Sequence, residues 1–476
     1  MTDDVRMRGF RSRVELAEVI ALLRAGAAAL PAESVAVTAC VGRVLAAPVH
    51  APIDVPGFVR AAVDGYAIRG EDSFAASEHN PISLELLGTS LPGRPCAATV
   101  ASGQAVRITT GAPVPAGADA VLQAELARST RPDTVSLLGP VAPRRHLGEV
   151  GEDLARGQLV LPAGRLLRPQ DAGVLASLGL ASVAVVRRPR VQLLVTGDEL
   201  VAPGTAPGPW QIVDSNSVVL AGLCARDGAE WLPTLRAGDG EAALTAGFSD
   251  LSSGPADVLV VSGATSVGLE DLMPALLARV GTLEVHGVAV RPASPTGLGR
   301  LNDGRRVFLL PGNPVSCLCA HELLLGPWLR ALAGRPRPFS LPHASVTLPL
   351  ARKLTSKVGR CDFVRVRVEA GQVVPVATSG ASNLSSTVLA DGFTIVASDS
   401  EGAAPGEPVL VHLFDGPYIP EDSQPVPTDS PHPHVPADSQ HVPADSQPVP
   451  ADSPYPHVPA DNQPVPTDSP PRGAAP

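Results

Sequence analysis

The sequence predicts a multidomain protein of α/β plus β-rich domains, and three observations predict this class. The chain of 476 residues is too long for one core, at roughly 100–200 residues per domain. From Arg190 to about residue 336, short apolar segments alternate regularly with helical patterns, which is typical of a doubly wound α/β domain. On both sides of it, short strand-like segments are separated by Gly and Pro turns, which indicates β-rich domains.

The N-terminal half divides into two parts. Apolar residues at helical spacing from Val14 to Ala29 predict an opening helix, and a second helix is predicted after Pro169. Between them, the chain lacks helix–strand alternation, which favours a mostly β insertion. We therefore predict a mixed linker domain of residues 1–50 and 144–188, interrupted by a β-rich insertion of residues 51–143.

The α/β domain is predicted to span residues 189–336. Strands are expected at 190–195, 257–262 and 306–310, with a helix from Asn216 to Asp227 capped by Asp214 or Ser215, and a last helix from Val315 to Ala333. The second and third strands each lead through a loop of small residues into a helix. This order builds an open parallel sheet with a crevice at its strand ends, where backbone N–H groups and helix N-termini attract anions. The stretch 257–316 therefore predicts a small-molecule pocket.

The C-terminal part divides into a β-rich domain and a tail. Short strand-like segments such as 362–369 and 393–397 predict a small barrel, assigned here to residues 337–415 as a C-terminal β-barrel. From 416 to 476 a Pro-rich acidic unit repeats, with Asp438, Asp445 and Asp452 seven residues apart. Such polar sequence cannot bury a core, so the tail is expected to be disordered.

Composition and charge exclude several classes of protein. The formal net charge is −10, and no basic stripe suggests binding to nucleic acid. The uncharged run Ala172 to Val186 is shorter than the ~20 residues that a membrane span needs. The N-terminus carries acidic residues where a secretory signal would carry basic ones. The six cysteines are scattered without a CxxC pair, so we expect reduced thiols and a cytoplasmic location.

Six motifs occur in a specific order along the chain. They are Ala62-Val-Asp-Gly-Tyr-Ala-Ile-Arg69, Ile108-Thr-Thr-Gly-Ala-Pro-Val-Pro-Ala-Gly-Ala-Asp-Ala-Val121, Thr196-Gly-Asp-Glu-Leu200, Ile212-Val-Asp-Ser-Asn-Ser217, Ser262-Gly-Ala-Thr-Ser-Val-Gly268 and Leu310-Pro-Gly-Asn-Pro-Val-Ser316. At these separations the chain closely resembles the molybdopterin molybdenumtransferases, bacterial relatives of the C-terminal domain of gephyrin. The resemblance spans residues 14 to about 414 and leaves only the tail outside.

The resemblance implies the last step of molybdenum cofactor synthesis. In that step adenylylated molybdopterin and molybdate bind, molybdenum passes to the dithiolene sulfurs, and AMP is released with help from a divalent metal, usually Mg²⁺. It also implies an elongated homodimer whose active site lies between the α/β domain of one subunit and the β-rich insertion of the other. A molybdopterin adenylyltransferase and molybdoenzymes are the implied protein partners.

The resemblance also implies roles for individual residues. Asp64, Glu199, Asp239 and Asp271 match the functional carboxylates, and the last three would bind the metal. The implied substrate-binding residues are Thr110, Asp153, Ser262, Gly263, Ser266, Gly268, Arg291, Pro311, Gly312, Asn313 and Pro314. Cleavage of a phosphoanhydride fits this set, because Mg²⁺ binds a few carboxylates together with phosphate oxygens. The assignment of Asp239 admits a shift of one residue within Ala237-Gly-Asp-Gly-Glu241.

Each of these residues also has a structural interpretation. Asp64 could cap a turn, and Thr110 could close one. Glu199 and Asp271 could be acids near helix N-termini, where they favour the helix dipole. Asn313 could occupy a left-handed turn position, a conformation that Asn tolerates. A contact with the ligand suits Asn313 equally well. These alternatives stay open at the level of sequence.

The chain departs from the family pattern at several positions. Gly287 and Ser294 stand where lysines are expected, while Arg291 keeps one positive charge in a form that binds oxyanions differently from lysine. Ala264 replaces the second glycine of a Gly-Gly pair. A functional serine position is aligned with Ala381, with Ser379 and Ser382 as nearby substitutes.

These departures leave three functional hypotheses. The first is a working molybdenumtransferase that is slower than its relatives, since the carboxylates are intact. The second is a non-catalytic protein that stores or hands on molybdopterin, or a scaffold whose acidic tail recruits partners. The third is a molybdopterin adenylyltransferase, which the extra domains argue against.

Overall fold

A mixed sheet forms the centre of the α/β domain in the computed structural model, which describes residues 13–263, 272–377 and 380–416. In spatial order its strands are Glu230–Trp231, Arg190–Thr196, Val258–Ser262, Arg306–Leu310, Gly297–Leu301 and Gly281–His286, and Leu235–Ala237 also pairs with Arg190–Thr196. The predicted strands at 190–195, 257–262 and 306–310 are confirmed, and they lie side by side in parallel. Their carboxyl ends therefore meet at one edge of the sheet.

One edge of this sheet is antiparallel, which corrects the expectation of a parallel sheet. Gly297–Leu301 pairs antiparallel with Arg306–Leu310 and with Gly281–His286. A tight turn joins the first two strands: Leu301 N–H donates to the Arg305 carbonyl at 2.9 Å, and Gly304 has φ +93°. A turn this short reverses the chain direction, so the two strands it joins cannot run parallel.

Helices cover both faces of the sheet. On one face lie Leu16–Gly26, Asn216–Arg226 and the segment that begins at Pro314, and on the other lie Glu241–Ser253 and Met273–Val280. Adjacent side chains of a strand point to opposite faces, so Leu193 packs in the first core and Leu194 in the second. Burial on both faces explains why these strands read as continuous apolar runs.

The last helix of the domain is not the uninterrupted helix predicted from Val315 to Ala333. It consists of an α-helix Pro314–Ala320, a π-helical segment His321–Leu325 and an α-helix Gly326–Leu332. Pro327 explains the interruption, because it lacks a backbone N–H and its ring crowds the preceding turn. A wider turn accommodates that proline without ending the helix.

The N-terminal region joins two distant stretches of chain. Strand Ala32–Ala36 pairs antiparallel with Ser182–Val186, and Val49–His50 pairs with Leu159–Leu161. The predicted helix after Pro169 spans Pro169–Ser177. A core that includes Val37, Cys40, Leu45, Leu161, Leu167, Leu175, Val183 and Val185 holds the two stretches together.

A six-stranded sheet forms the part of the chain predicted as a β-rich insertion. In spatial order its strands are Ala120–Gln123, Gly65–Ile68, Gln104–Ile108, Ile82–Ser90, Thr134–Leu137 and Ala127–Arg131. Short 3₁₀ turns occur at Gly70–Ser73 and Ala124–Leu126, and Arg60–Ala61 pairs with Leu147–Gly148 at the base. Separate apolar clusters lie around Ile68 and around Val106.

The C-terminal region is also β-rich. Its strands, in spatial order, are Val290–Arg291, Cys361–Glu369, Gly392–Val396, Pro408–Leu413 and Ser345–Pro349, with Gln372–Ala377 beside Cys361–Glu369. A β-bridge between Leu350 and Val373 links the two sides of this sheet. A strand pair Leu354–Thr355 with Gly402–Ala403 and a short helix Ser385–Val388 complete the region. None of the helices in the described ranges has the length and apolar character needed to cross a membrane.

Candidate molybdopterin site

Two loops meet at the carboxyl ends of adjacent parallel strands. Val258–Ser262 and Arg306–Leu310 are paired with Ser262 opposite Leu310, so the loops that follow them start side by side. Gly263 N–H donates to the Leu310 carbonyl at 3.3 Å, and a Cβ placed on Gly312 would lie 3.5 Å from the Gly263 Cα. The structure thus brings together the predicted pocket residues Gly263, Pro311, Gly312, Asn313 and Pro314.

Gly263 occupies a position that only glycine can fill. Its φ is +97°, and a Cβ there would lie 2.5 Å from the Thr196 carbonyl oxygen and 2.6 Å from the Thr196 Oγ1. Both the left-handed backbone and the close approach therefore require the missing side chain. The predicted residues Ser266, Gly268 and Asp271, with the departure at Ala264, lie outside the described residues.

The Ser262 side chain lies inside the domain and not on the pocket surface. It is 2 % exposed, and its Oγ accepts a hydrogen bond from Asn216 Nδ2 at 2.9 Å. The same Asn216 amide donates to the Gly312 carbonyl at 2.8 Å. The neighbouring Cys317 thiol is also buried, and burial raises its pKa to about 12, so it does not supply a thiolate nucleophile.

Beside these two loops, the side chains of Asp198 and Asp239 each accept a hydrogen bond from the backbone N–H of the other residue. Asp198 N–H donates to Asp239 Oδ2 at 3.1 Å, and Asp239 N–H donates to Asp198 Oδ1 at 3.2 Å. A Cβ on Gly238 would lie 2.4 Å from Asp198 Oδ1. Glycine at position 238 therefore allows the close approach of the Asp198 carboxylate, and the assignment of Asp239 stays a prediction.

Glu199 lies on the same loop as Asp198. A Cβ on Gly197, whose φ is +146°, would lie 2.7 Å from Glu199 Oε2, so the carboxylate of Glu199 folds back over Gly197. The Glu199 carbonyl accepts the Ile212 N–H at 2.9 Å, at the start of a parallel strand pair between Leu200–Val201 and Ile212–Val213. Glu199 thus belongs to a loop followed by a short strand and not to a helix N-terminus, which removes its dipole interpretation.

A cleft of about 260 Å³ lies next to these carboxylates. Asp198, Leu200, Arg236 and Gly238 are among its lining residues. Arg236 donates to Asp214 Oδ2 at 2.6 Å, so its charge is shared with a buried carboxylate. The cleft is thus lined by one acidic and one basic side chain, which suits a ligand with both phosphate and hydrogen-bonding groups.

Asp64 and Thr110 come together on the β-rich insertion. Asp64 Oδ1 accepts the Thr110 N–H at 2.6 Å and the Thr110 hydroxyl at 2.9 Å. These bonds, the backbone one first, lower the pKa of Asp64 below its usual value. No hydrogen bond or ion pair within the described ranges joins either residue to the loop at 197–199.

Asp153 lies on a different turn near the base of the insertion. It is exposed, and its N–H donates to the Val55 carbonyl at 3.1 Å. The preceding Gly151, with φ +71°, donates to the Pro56 carbonyl at 2.9 Å. The turn is therefore held against residues 55–56 by its backbone, and the role predicted for the Asp153 carboxylate stays a prediction.

The charge of Arg291 is already paired inside the chain. Its guanidinium donates to Asp362, which is 1 % exposed and also accepts the Ser356 hydroxyl at 2.7 Å. The side chain at position 294 does not replace a lysine either, because the Ser294 hydroxyl donates to the Val290 carbonyl at 2.7 Å. Position 287 has φ +98°, a conformation that glycine adopts readily.

The Pro-Gly-Asn-Pro loop contacts the C-terminal region. Ser382 Oγ donates to Asn313 Oδ1 at 2.7 Å, and Val315 N–H donates to the Ala381 carbonyl at 3.0 Å. The backbone of Asn313 has φ −64°, so it is not in the left-handed conformation that was the structural alternative. Ser382 therefore places a hydroxyl beside the loop, next to the alanine at position 381, while Ser379 lies outside the described residues.

Two of the three predicted metal ligands can be described. Glu199 is exposed and Asp239 is half-buried, and the Asp239 carboxylate is hydrogen-bonded to the loop of residues 197–199 through the Asp198 N–H. Carboxylate oxygens suit Mg²⁺, which binds through one or two carboxylates and completes its shell with phosphates and water. Among the described residues no group of three His, Cys, Asp or Glu side chains could hold an ion. The two carboxylates by themselves are the right donor type for this cation.

Sequence reasoning gave no site role to four side chains that shape this region, although it predicted Asp214 as a candidate helix cap, and Asp214 Oδ1 does accept the Ser217 N–H. Asp198 and Arg236 line the cleft, and Asp214 and Asn216 support it from the start of the helix Asn216–Arg226. Asp198, Asp214 and Asn216 lie inside the motifs at 196–200 and 212–217, so the signal was present. Their roles depend on contacts across 22 to 96 residues of sequence, which the motifs do not report.

The fold and the site define a class of protein: a multidomain protein whose α/β domain carries glycine-rich loops and carboxylates at the ends of parallel strands. Family comparison narrows this class. Residues 14–179 match the MoeA N-terminal region (domain I and II), residues 192–331 match a domain described as "Probable molybdopterin binding domain", and residues 347–414 match the MoeA C-terminal region (domain IV). The chain belongs to the MoeA family, and the resemblance stated from its motifs is confirmed.

Individual relatives cover most of the chain. Molybdopterin molybdenumtransferase 2 of Mycobacterium tuberculosis is 36 % identical over 386 residues, covering 79 % of this chain and 94 % of that protein. The molybdopterin molybdenumtransferase of Haemophilus influenzae is 33 % identical over 378 residues, 78 % of this chain and 91 % of that protein. The crystal structure of a molybdopterin biosynthesis MoeA protein from Pyrococcus horikoshii matches with a TM-score of 0.73 and 33 % identity, covering 85 % of this chain and all of that one. The predicted multidomain fold of α/β and β-rich domains is confirmed.

Proposed function

We propose that this protein is a molybdopterin molybdenumtransferase, which inserts molybdenum from molybdate into adenylylated molybdopterin and releases AMP. The observation that carries the proposal is the 36 % identity to molybdopterin molybdenumtransferase 2 of Mycobacterium tuberculosis over 94 % of that protein. Relatives of the same name in Haemophilus influenzae and Bacillus subtilis are 33 % and 31 % identical. The loops at Gly263 and Pro311–Pro314 and the carboxylates at 199 and 239 support it, because they meet at the strand ends where such folds bind ligands.

The two glycine-bearing loops are proposed to bind the substrate. Gly263 lets the first loop leave the strand with a φ of +97° against Thr196, and the missing Cβ at Gly312 allows close approach of a phosphate to the backbone of the second loop. Pro311 and Pro314 fix two φ angles of the second loop, so it forms a rigid wall for the pterin ring. Ser382 holds the Asn313 side-chain oxygen at 2.7 Å, which leaves the Asn313 amide group as the donor to the ligand.

Glu199, Asp239 and Asp271 are proposed to hold Mg²⁺, which would supply charge neutralisation for the phosphoanhydride and for the departing AMP. Asp198 fixes Asp239 through the reciprocal backbone bonds, and Gly197 allows Glu199 to fold over the same loop. Fixed carboxylates need little reorganisation during reaction, which is the main advantage of a preorganised site.

A homodimer is proposed to complete the site. Asp64 and Thr110 on the insertion make no described contact with Glu199 and Asp239 in the same chain. A second copy could supply the Asp64–Thr110 pair to the α/β domain, as the family resemblance implies. An Asp64→Asn chain mixed with a Glu199→Gln chain would then restore AMP release in heterodimers, whereas sites built within one chain would stay inactive.

The alternative function is storage or delivery of molybdopterin without catalysis. It is favoured by one specific observation: the remaining cation of the usual lysine segment, Arg291, is paired with Asp362, and positions 287 and 294 carry no charge. Loss of a charge-assisted hydrogen bond costs about 1.5–3 kcal/mol, which is enough to slow a reaction markedly. A protein with intact loops but fewer cations would bind the pterin and turn over slowly or not at all.

The finer features of the scaffold belong to the same proposal. We propose that the α/β domain of residues 189–336 is doubly wound and that residues 337–415 form a barrel, supported by helices on both faces of the first sheet and by the Leu350–Val373 bridge in the second. A cytoplasmic location and contacts with a molybdopterin adenylyltransferase and with molybdoenzymes stay predictions. The tail of residues 416–476 is proposed to have no role in the chemistry, so its deletion leaves turnover unchanged.

AMP release tests the proposed function. Purified protein is given adenylylated molybdopterin, molybdate and Mg²⁺, and AMP is measured over time. Glu199→Gln and Asp239→Asn are expected to lower the rate on the order of 10²-fold. Glu230→Gln is the matched control, because Glu230 is an exposed acid at the amino end of the same sheet. Tight ligand binding with no AMP from the wild type under any divalent metal would establish storage instead.

A further inference from the structure

Asn216 connects the two pocket loops through a single amide group. Its Nδ2 donates to Ser262 Oγ at 2.9 Å, at the end of one strand, and to the Gly312 carbonyl at 2.8 Å, in the Pro-Gly-Asn-Pro loop. Asn216 is 8 % exposed, so water does not compete freely for these bonds. The two loops are therefore joined by a third element, the start of the helix Asn216–Arg226.

The chemistry of the partners fixes the orientation of this amide. A backbone carbonyl can only accept hydrogen bonds, so the nitrogen and not the oxygen of the Asn216 amide must face Gly312. Both hydrogens of the NH₂ group are then used, one for each loop. Two further hydrogen bonds near this point are longer, Gly263 N–H to the Leu310 carbonyl at 3.3 Å and Thr196 Oγ1 to the Ser262 carbonyl at 3.4 Å, and the Cys317 side chain is also hydrogen-bonded to Ser262.

Asn216 is itself held in place. Asp214 Oδ1 accepts the Ser217 N–H at 3.0 Å at the beginning of the helix, and Asp214 Oδ2 accepts a bond from Arg236 at 2.6 Å. Asp214 N–H donates to the Val201 carbonyl at 3.0 Å, which links the same point to the strand after Glu199. A continuous set of contacts therefore runs from the cleft residue Arg236, through the helix start, to both pocket loops.

We propose that Asn216 is a positioning residue that sets the spacing of the two loops and so makes them one binding surface. Without its amide, the Pro-Gly-Asn-Pro loop loses the hydrogen bond at the Gly312 carbonyl that joins it through Asn216 to Ser262, while its contacts to Ser382 and Ala381 in the C-terminal region persist. The loop would then follow the C-terminal region and move away from Gly263. The kinetic part of this inference rests on the proposed function, and the structural part does not.

Asn216→Asp and Asn216→Ala test the inference. The aspartate is nearly the same shape but presents an oxygen to the Gly312 carbonyl, so the tie becomes a repulsion. Both variants are expected to increase amide hydrogen exchange at Gly312 and Asn313, and to lower kcat for AMP release on the order of 10²-fold, as misplaced reacting groups do. Asn302→Asp, the same change in an exposed turn of the same domain, is expected to alter neither.

A second control separates positioning from loss of stability. Leu220→Ala removes a fully buried side chain from the same helix, so it lowers the melting temperature without touching either loop. At a temperature where all variants are folded, it is expected to keep the wild-type kcat and loop exchange. The inference is overturned if Asn216→Asp shows wild-type exchange at Gly312 and Asn313, or if Leu220→Ala reproduces the kinetic loss. The wild type could release no AMP while the Asn216 variants exchange faster than the wild type at Gly312 and Asn313. In that case the proposed function fails and the positioning role of Asn216 stands.

Discussion

Asp64 and Thr110 form a two-bond contact on the surface of the β-rich insertion: one carboxylate oxygen, Asp64 Oδ1, accepts both the backbone N–H and the hydroxyl of Thr110. The contact joins residues 46 positions apart, so it is more than the local turn cap that the sequence allowed. Among the described residues no hydrogen bond to Asp64 Oδ2 occurs. This second oxygen is available for a ligand while Thr110 holds the carboxylate still.

Thr110→Val is expected to raise the pKa of Asp64 toward 3.8, its ordinary value, but not all the way, because the backbone bond at 2.6 Å is kept. The folded pKa is lowered, so the stabilisation from this contact is present above pH 3.8 and is lost as pH falls through the folded pKa. Carboxyl-carbon NMR titration measures the shift, and Thr109→Val is the matched control. An unchanged Asp64 titration in Thr110→Val would contradict the assigned cause.

Asp198→Ala is expected to release Asp239 from its fixed position, because it removes the carboxylate that accepts the Asp239 N–H. Asp198→Asn keeps an oxygen acceptor and should retain most of the function. The measurement is the Mg²⁺ concentration needed for half-maximal AMP release, which should rise about 10-fold or more in the alanine variant, corresponding to loss of ~1.4 kcal/mol of binding. Equal behaviour of the two variants would show that the reciprocal bonds do not position Asp239.

Gly263→Ala is expected to destabilise the protein more than Gly304→Ala does. Both glycines have a φ near +95°, but a Cβ at 263 meets Thr196 at 2.5 Å while a Cβ at 304 meets nothing within 4 Å. The shared cost of a left-handed non-glycine residue is about 1 kcal/mol, and the clash should bring the total at 263 to roughly 3 kcal/mol. Urea unfolding compares the free energies of the two variants directly, and equal values would mean that Thr196 moves aside.

Asp362→Ala is expected to leave Arg291 without its partner in a mostly buried setting. Breaking such a pair by removing one member typically costs about 3–5 kcal/mol, and the value here should fall at or below the low end because a quarter of the Arg291 side chain is exposed. Arg291→Ala combined with Asp362→Ala should recover part of the loss in urea unfolding. Strict additivity of the two changes would contradict a direct interaction.

Acid is expected to weaken the link between the α/β and C-terminal regions. Burial alone would raise the pKa of Glu322, but hydrogen bonds from His343 and Arg226 outweigh burial and lower it to about 2. The folded pKa lies below the ordinary value of 4.5, so this stabilisation is complete above pH 4.5 and is lost as pH falls toward 2. Thermal melts between pH 7 and 3 measure the effect. Glu322→Gln should melt lower at pH 7 and depend less on pH, with the exposed Glu230→Gln as control.

Much of the fold could be predicted from local patterns. The strands at 190–195, 257–262 and 306–310 were predictable because burial on both faces leaves continuous apolar runs. The antiparallel edge at Gly297–Leu301 was missed because glycine-rich strands carry a weak pattern. The π-helical segment at His321–Leu325 was missed because a helical period does not reveal how a proline will be accommodated.

The sequence by itself determined the family, the order of the motifs along the chain and the kinds of side chain expected at the site. These depend on strand period, glycine spacing and the positions of carboxylates, which are local properties of the chain. Only the tertiary structure decided which groups are available. Ser262 and Arg291 were predicted to bind substrate, yet the Ser262 side chain is buried beside Asn216 and the Arg291 side chain is paired with Asp362. These outcomes depend on partners 46 and 71 residues away, and hydrogen bonds of that range are set by packing and not by sequence spacing.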